Sequence, residues 1–150
     1  MTNEVVKENI IALVPDAVFD ETGEWLNVLV EEKNWSALAA GLKNGVLQMD
    51  YLFCLTCIDW KTHLTMVYHL SATKYRHTIV VKSNLDRTHP EIDSVSALWR
   101  TAEFHEREVF ELFGVQFRNH PDLRKLILTD DFEGYPLRKD FEDPINMIKL

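Results

Sequence analysis

The sequence predicts an α+β domain: a mixed sheet of about five strands with helices packed on a face, then a charged helix and an irregular C-terminal segment. Three observations predict it. Helical and strand periodicities alternate in the order helix, two strands, helix, three strands. The three consecutive strand patterns are joined by short polar links, as in an antiparallel meander rather than in crossover units. Past residue 85 the periodicity gives way to charge and proline. A chain of 150 residues with 46% hydrophobic content suits one core, burying roughly 70% of the surface its unfolded form exposes.

Val6, Ile10 and Leu13 recur at helical spacing behind a Thr2 cap, and Pro15 stops that helix. Ala17 to Phe19 and Trp25 to Val30 flank a Glu-Thr-Gly turn and read as a hairpin. Trp35, Leu38, Ala39 and Leu42 lie at i, i+3, i+4 and i+7, with Asn44-Gly45 as the stop, giving a second helix. Strands follow over 50–60, 63–72 and 76–84; in the middle one Leu64, Met66, Tyr68 and Leu70 alternate with Thr65, Val67 and His69. A charged helix is expected over 95–113, capped by Asp93 or Ser94 and ended by Gly114. Its apolar face should hold Leu98, Ala102, His105, Val109 and Leu112, widened by Trp99, Phe110 and Phe113. Glu103, Arg107 and Glu111, spaced four apart, should form an ion-pair ladder.

The domain is therefore drawn over 1–114, with 115–150 as an extended segment. Between 101 and 143 there are eleven acids and six bases, too little apolar surface for such a segment to order itself cheaply. Leu126, Ile127, Leu128, Phe132, Tyr135 and Phe141 then need a surface to land on, and a partner protein is expected to supply it.

A net charge of -8 and a pI near 5.2 argue against binding nucleic acid or an anionic lipid surface. No apolar run approaches the ~20 residues that span a bilayer, and the N-terminus lacks the pattern of a secretory signal or transit peptide. Cys54 and Cys57 form a C-x-x-C, but inside a strand-like run, where residues three apart face opposite ways; they read as small hydrophobes. His105, Glu106, Glu108 and His120 could be taken as a metal or acid-base cluster. The residue four past His105 is Val109, so no His-Glu-x-x-His pattern exists, and His105 reads as a core residue. Five scattered glycines cannot build a phosphate loop, and no nucleophile elbow or dinucleotide fingerprint occurs.

A resemblance enters through residues 106–140. Glu106-Arg107-Glu108-Val109-Phe110-Glu111-Leu112-Phe113-Gly114, then His120-Pro121-Asp122-Leu123-Arg124-Lys125-Leu126-Ile127, resembles the signature of the 30-kilodalton (C-subunit) family of NADH-quinone oxidoreductase, respiratory complex I. Asp131-Phe132-Glu133-Gly134-Tyr135-Pro136-Leu137-Arg138-Lys139-Asp140 is similar to that family's ending, as are Asp59-Trp60, Tyr68-His69-Leu70-Ser71 and Leu98-Trp99. The resemblance covers about 50–143. Glu111, Phe132 and the Phe104-His105 pair depart from its usual residues, and the chain stops soon after Pro144, where many relatives continue.

The resemblance implies a non-catalytic peripheral-arm subunit with no catalytic, cofactor or metal residues of its own. FMN, iron-sulfur clusters and quinone would be held by partner subunits. It would pack against the 49-kilodalton (D-subunit) homologue and neighbouring iron-sulfur subunits, on the cytoplasmic side of a bacterial inner membrane and without inserting into it. Glu106, Arg107, Glu108, Glu111, His120, Arg124, Arg138, Lys139 and Asp140 are the expected interface residues, with Arg107, Arg124 and Arg138 as anchors. Intrachain ion pairing of these arginines is equally open. Two alternatives are an equivalent subunit of an energy-converting hydrogenase, F420 or ferredoxin dehydrogenase complex, and a small independent metal- or thiol-dependent enzyme.

Overall fold

Tyr68, in the middle of the strand with the cleanest alternation, is fully buried against the indole of Trp35, ring centroids 4.3 Å apart. The core of the computed structural model, which describes residues 1–147, grows outward from that contact. Helix α1 (Asn3–Leu13) starts where Thr2 accepts a hydrogen bond from the Val5 amide, the expected cap. Strands β1 (Val18–Asp20) and β2 (Leu26–Leu29) form the hairpin, and α2 (Glu32–Asn44) buries Trp35, Leu38, Ala39 and Leu42. Strands β3 (Tyr51–Asp59), β4 (His63–Ala72) and β5 (His77–Asp86) are the meander.

The five strands lie in the order β1-β2-β5-β4-β3, with β2 running parallel to β5 and every other pair antiparallel. One face carries Leu64, Met66, Tyr68 and Leu70 of β4 with Ile79, Val81 and Leu85 of β5, all within the core formed with α1 and α2. Burying each such side chain contributes about 1.5–3 kcal/mol. Trp25, Tyr51, Phe53 and His69 form an aromatic cluster in contact with one another. A bulge between Leu52 and Cys54 shifts the register of β3, and past it Cys57 is buried while Cys54 is half-buried; both are free thiols.

Beyond β5 the structure departs from expectation. Residues Glu91–Asp93 form β6, paired in parallel with β7 (Gln116–Arg118) as a separate two-stranded sheet. Asp93 and Ser94 therefore do not cap a helix. Helix α3 spans Ala102–Phe113 and starts seven residues later than expected. The intervening residues turn because Trp99 Nε1 donates to Met49 O (2.9 Å) and Thr101 Oγ1 to Leu52 O (2.9 Å), fastening them to the start of β3. The folded body also runs past Gly114: Val115 and Phe117 belong to the same core. Arg118 ties β7 to Glu32 of α2 and Asp93 of β6. The segment drawn over 115–150 reaches into residues 148–150, which lie outside the described ones. Among the described residues no helix is long and apolar enough to cross a membrane.

Candidate functional site

The buried face of α3 is Ala102, Glu106, Val109 and Phe113, joined by Arg107 and Glu111. His105, expected in the core, is only half-buried, and so is Leu112. The helix is turned so that three of its charged residues, Glu106, Arg107 and Glu111, are buried, facing groups outside the helix.

The Glu103–Arg107–Glu111 ladder gives way to other partners. Arg107 Nε donates to Arg124 O (3.0 Å) and one of its terminal nitrogens to Lys125 O (2.9 Å). The Glu111 carboxylate accepts from the amides of Leu126 (2.8 Å), Ile127 (2.9 Å) and Leu128 (3.1 Å). Lys125 Nζ turns back onto the carbonyls of Thr129, Asp130 and Phe132 at 2.9–3.2 Å. Each contact pairs a full charge with main-chain dipoles, which makes these stronger than neutral hydrogen bonds. A segment with little apolar surface is thus held to α3 by charge paired with its main-chain groups.

The later part of the segment is held in the same way. Leu137 N donates to Leu112 O (3.1 Å), and Arg138 Nε donates to Phe113 O (2.7 Å) with its guanidinium 4.8 Å from the centroid of Tyr135. The Tyr135 ring sits on Gly114, where an added Cβ would come within 2.7 Å of it at a left-handed φ of +80°. Glycine alone fits there. At the far end Asp59 of β3 accepts from Arg87 (3.0 and 2.9 Å) and from the Lys139 amide (2.9 Å), while Arg87 also pairs with Asp140 (2.8 Å). The Arg87 guanidinium holds the Asp59 carboxyl well below the usual carboxylate range. Lys139 reaches over Trp60, 5.7 Å from the ring centroid.

Glu106 is fully buried. It accepts from Ser94 Oγ (2.6 Å) and the Val95 amide (2.8 Å), and burial pushes its carboxyl up to about 7 against these bonds. His120 Nε2 lies 3.7 Å from it. The Asp122 amide donates to His120 Nδ1 (3.0 Å), so the proton resides on Nε2, which donates to Glu103 O (2.9 Å). That is a neutral imidazole fixing a turn. Burial likewise pushes the Cys57 thiol up to about 12, far from a reactive thiolate.

Of the nine expected interface residues, Glu106, Arg107, Glu111 and His120 bond within the chain, Arg138 fastens the segment to α3, Lys139 to β3, and Asp140 to Arg87 just past β5. Glu108 is exposed, and Arg124 faces solvent beside Asp122. The structure does not assemble His105, Glu106, Glu108 and His120 as ligands, and among the described residues no three His, Cys, Asp or Glu side chains are gathered for a metal. Neither Arg87 nor Asp59 was among the expected site residues, although Asp59 carries part of the resemblance.

These features define a small α+β module with a C-terminal arm strapped to one helix by buried charge. The chain belongs to the family of the 30 kDa subunit of respiratory-chain NADH dehydrogenase, whose model matches residues 28–145. The fused C/D subunit of the NADH-quinone oxidoreductase of Phocaeicola vulgatus is 47% identical over 104 residues, 68% of this chain and 20% of that protein. The C subunit of the Chloroherpeton thalassium enzyme is 35% identical over 148 residues, 95% of this chain and 60% of its own length. The C subunit of the F420H2 dehydrogenase of Methanosarcina mazei is 33% identical over 148 residues, 95% of this chain and 93% of its own. The chain thus spans a fifth of the fused relative and three fifths of a longer C subunit. Among solved structures, a trypsin-resistant fragment of Nqo5 superposes with TM-score 0.72 and 26% identity, over 82% of this chain and all of the fragment. A chain of an archaeal membrane-bound sulfane sulfur reductase superposes with TM-score 0.71 and 26% identity, over 93% of this chain and 85% of that one.

Proposed function

We propose that this chain is the C subunit in the peripheral arm of a membrane-associated NADH-quinone oxidoreductase, a scaffold that supports the 49-kilodalton (D) homologue during electron transfer from NADH to quinone. The family match carries the reading, because it extends from β2 into the strapped arm. The chemistry of α3 supports it. Its buried charges already have partners in main-chain groups or serines of the same chain, so they serve shape rather than turnover. FMN, iron-sulfur clusters and quinone then belong to partner subunits, and this chain reaches the cytoplasmic face of a bacterial inner membrane only through them. Glu108 and Arg124 remain as interface residues with outward-facing charge.

The test is affinity purification of the tagged chain from gently solubilised membranes, with mass spectrometry and an NADH oxidation assay. Recovery of a D homologue with flavin and iron-sulfur subunits and NADH-dependent quinone reduction is expected; a chain recovered alone overturns the reading. The nearly full-length match to the F420H2 dehydrogenase protein favours one second reading, an equivalent scaffold in a complex with another electron donor. The purified complex would then oxidise reduced F420 and ignore NADH.

A further inference from the structure

Ile127 is 70% exposed although its backbone is among the most tightly held in the arm. Three side chains, Arg107, Glu111 and Lys125, together bind the carbonyls of residues 124, 125, 129, 130 and 132 and the amides of residues 126, 127 and 128. The loop has no regular secondary structure, yet eight of its backbone groups are fixed, five by α3 and three by its own Lys125. What that scaffolding presents outward is a branched apolar side chain.

Ile127 is not isolated. Phe104, 56% exposed, has its ring 5.6 Å from the Arg107 guanidinium that holds residues 124 and 125. Leu137, 53% exposed, bonds through its amide to Leu112, next to the Glu111 that holds residues 126–128. All three are thus tied to α3, directly or through its Arg107 and Glu111, and leave exposed apolar surface of the kind that marks contact sites. Asp130, Asp131 and Glu133 follow within six residues of Ile127. A complementary partner therefore offers an apolar recess rimmed by Lys or Arg.

We infer that Ile127 is the anchor of the interface with the D homologue, presented in its bound conformation before the partner arrives. This rests on the scaffold function proposed above. The D homologue is the occupant because relatives named C/D carry both units in one polypeptide, which keeps the two side by side. A loop fixed in advance loses little conformational entropy on docking, which favours affinity through a single well-placed side chain.

The test co-expresses the full-length chain with the D homologue of the same source and measures co-elution and dissociation constants. Wild type is compared with Ile127→Ala, Ile127→Asp and a remote control at another exposed apolar residue, Val46→Asp. Ile127→Ala should weaken binding about 30-fold, the effect of truncating a hot-spot side chain. Ile127→Asp should abolish it, and Val46→Asp should leave it unchanged. Thermal unfolding of each variant alone should match wild type, because these side chains are exposed. Glu111→Gln, which loosens the loop while leaving Ile127 in place, should weaken binding less than Ile127→Asp. Wild-type binding retained by Ile127→Asp overturns the anchor and leaves the scaffold reading standing; failure of the wild type to bind D overturns the scaffold reading and the anchor together.

Discussion

Raising the pH from 5 to 8 should destabilise the folded chain through one residue, Glu106. Its carboxyl is near 4.5 when the chain is unfolded and about 7 when buried beneath Ser94 and Val95. Between those values the folded state keeps a proton that the unfolded state has lost, so stability falls as pH rises through the window. A displacement of this size corresponds to about 3 kcal/mol, a large part of the 5–15 kcal/mol typical of a domain. The groups facing Glu106 are Ser94, the Val95 amide and His120; Tyr68 senses its charge from the sheet. The comparison is urea denaturation of wild type and Glu106→Gln at pH 5, 6, 7 and 8. Glutamine keeps the shape and the acceptor for Val95 without the charge, and the difference between the curves cancels the other titrating groups. Relative to wild type the variant should gain about 3 kcal/mol across the series, with the change centred between pH 5 and 7. Parallel curves would refute the buried-carboxyl account.

The Asp59 carboxyl behaves oppositely: its contribution is present above its ordinary range and is lost as pH falls through its lowered one. Asp59→Asn should therefore cost about 3 kcal/mol at pH 7, since it leaves Arg87 poorly paired, and the gap to wild type should shrink in acid; a gap constant with pH would count against the clamp. Glu111→Gln should speed hydrogen exchange at the amides of residues 126–128 at least about tenfold, each lost charge-assisted bond contributing about 1.5 kcal/mol or more, while amides in β4 keep their protection. Gly114→Ala should cost about 2 kcal/mol in urea denaturation, from the left-handed backbone and the displaced Tyr135 ring. Cys57 should resist alkylation at pH 8 far longer than an unfolded control, and equal rates would mean that the thiol is not enclosed.

The first ninety residues were legible because their signals are periodic. The alternation in β4 and the repeat Trp35, Leu38, Ala39, Leu42 each name a buried face, and the core forms where those faces meet. The parallel pairing of β2 with β5 was not readable, because nothing in either strand states which neighbour it will have. Strands β6 and β7, three residues each, are too short to show a period. The candidate site misled for another reason. Glu103, Arg107 and Glu111 have ladder spacing, and on an isolated helix they would pair. In the fold, Arg107 and Glu111 find main-chain groups fifteen to eighteen residues further on. Peptide carbonyls and amides occur at nearly every residue, so a bond to one leaves no mark in the sequence. His105 and Glu106 exchanged expected places because a hydrogen-bonded acid can occupy a core position that a hydrophobicity pattern assigns to its neighbour.

The strap over α3 reads the arm's peptide groups and is indifferent to most of its side chains. Glu111 recognises three N–H groups whatever residues carry them, and Arg107 recognises two carbonyls in the same way. Attachment and outward character are therefore separable at residues 126–128, and the surface there can be rewritten for a different neighbour without unfastening the arm. Proline is the one residue this freedom excludes, for at any of those three positions it would withhold the hydrogen that the carboxylate holds.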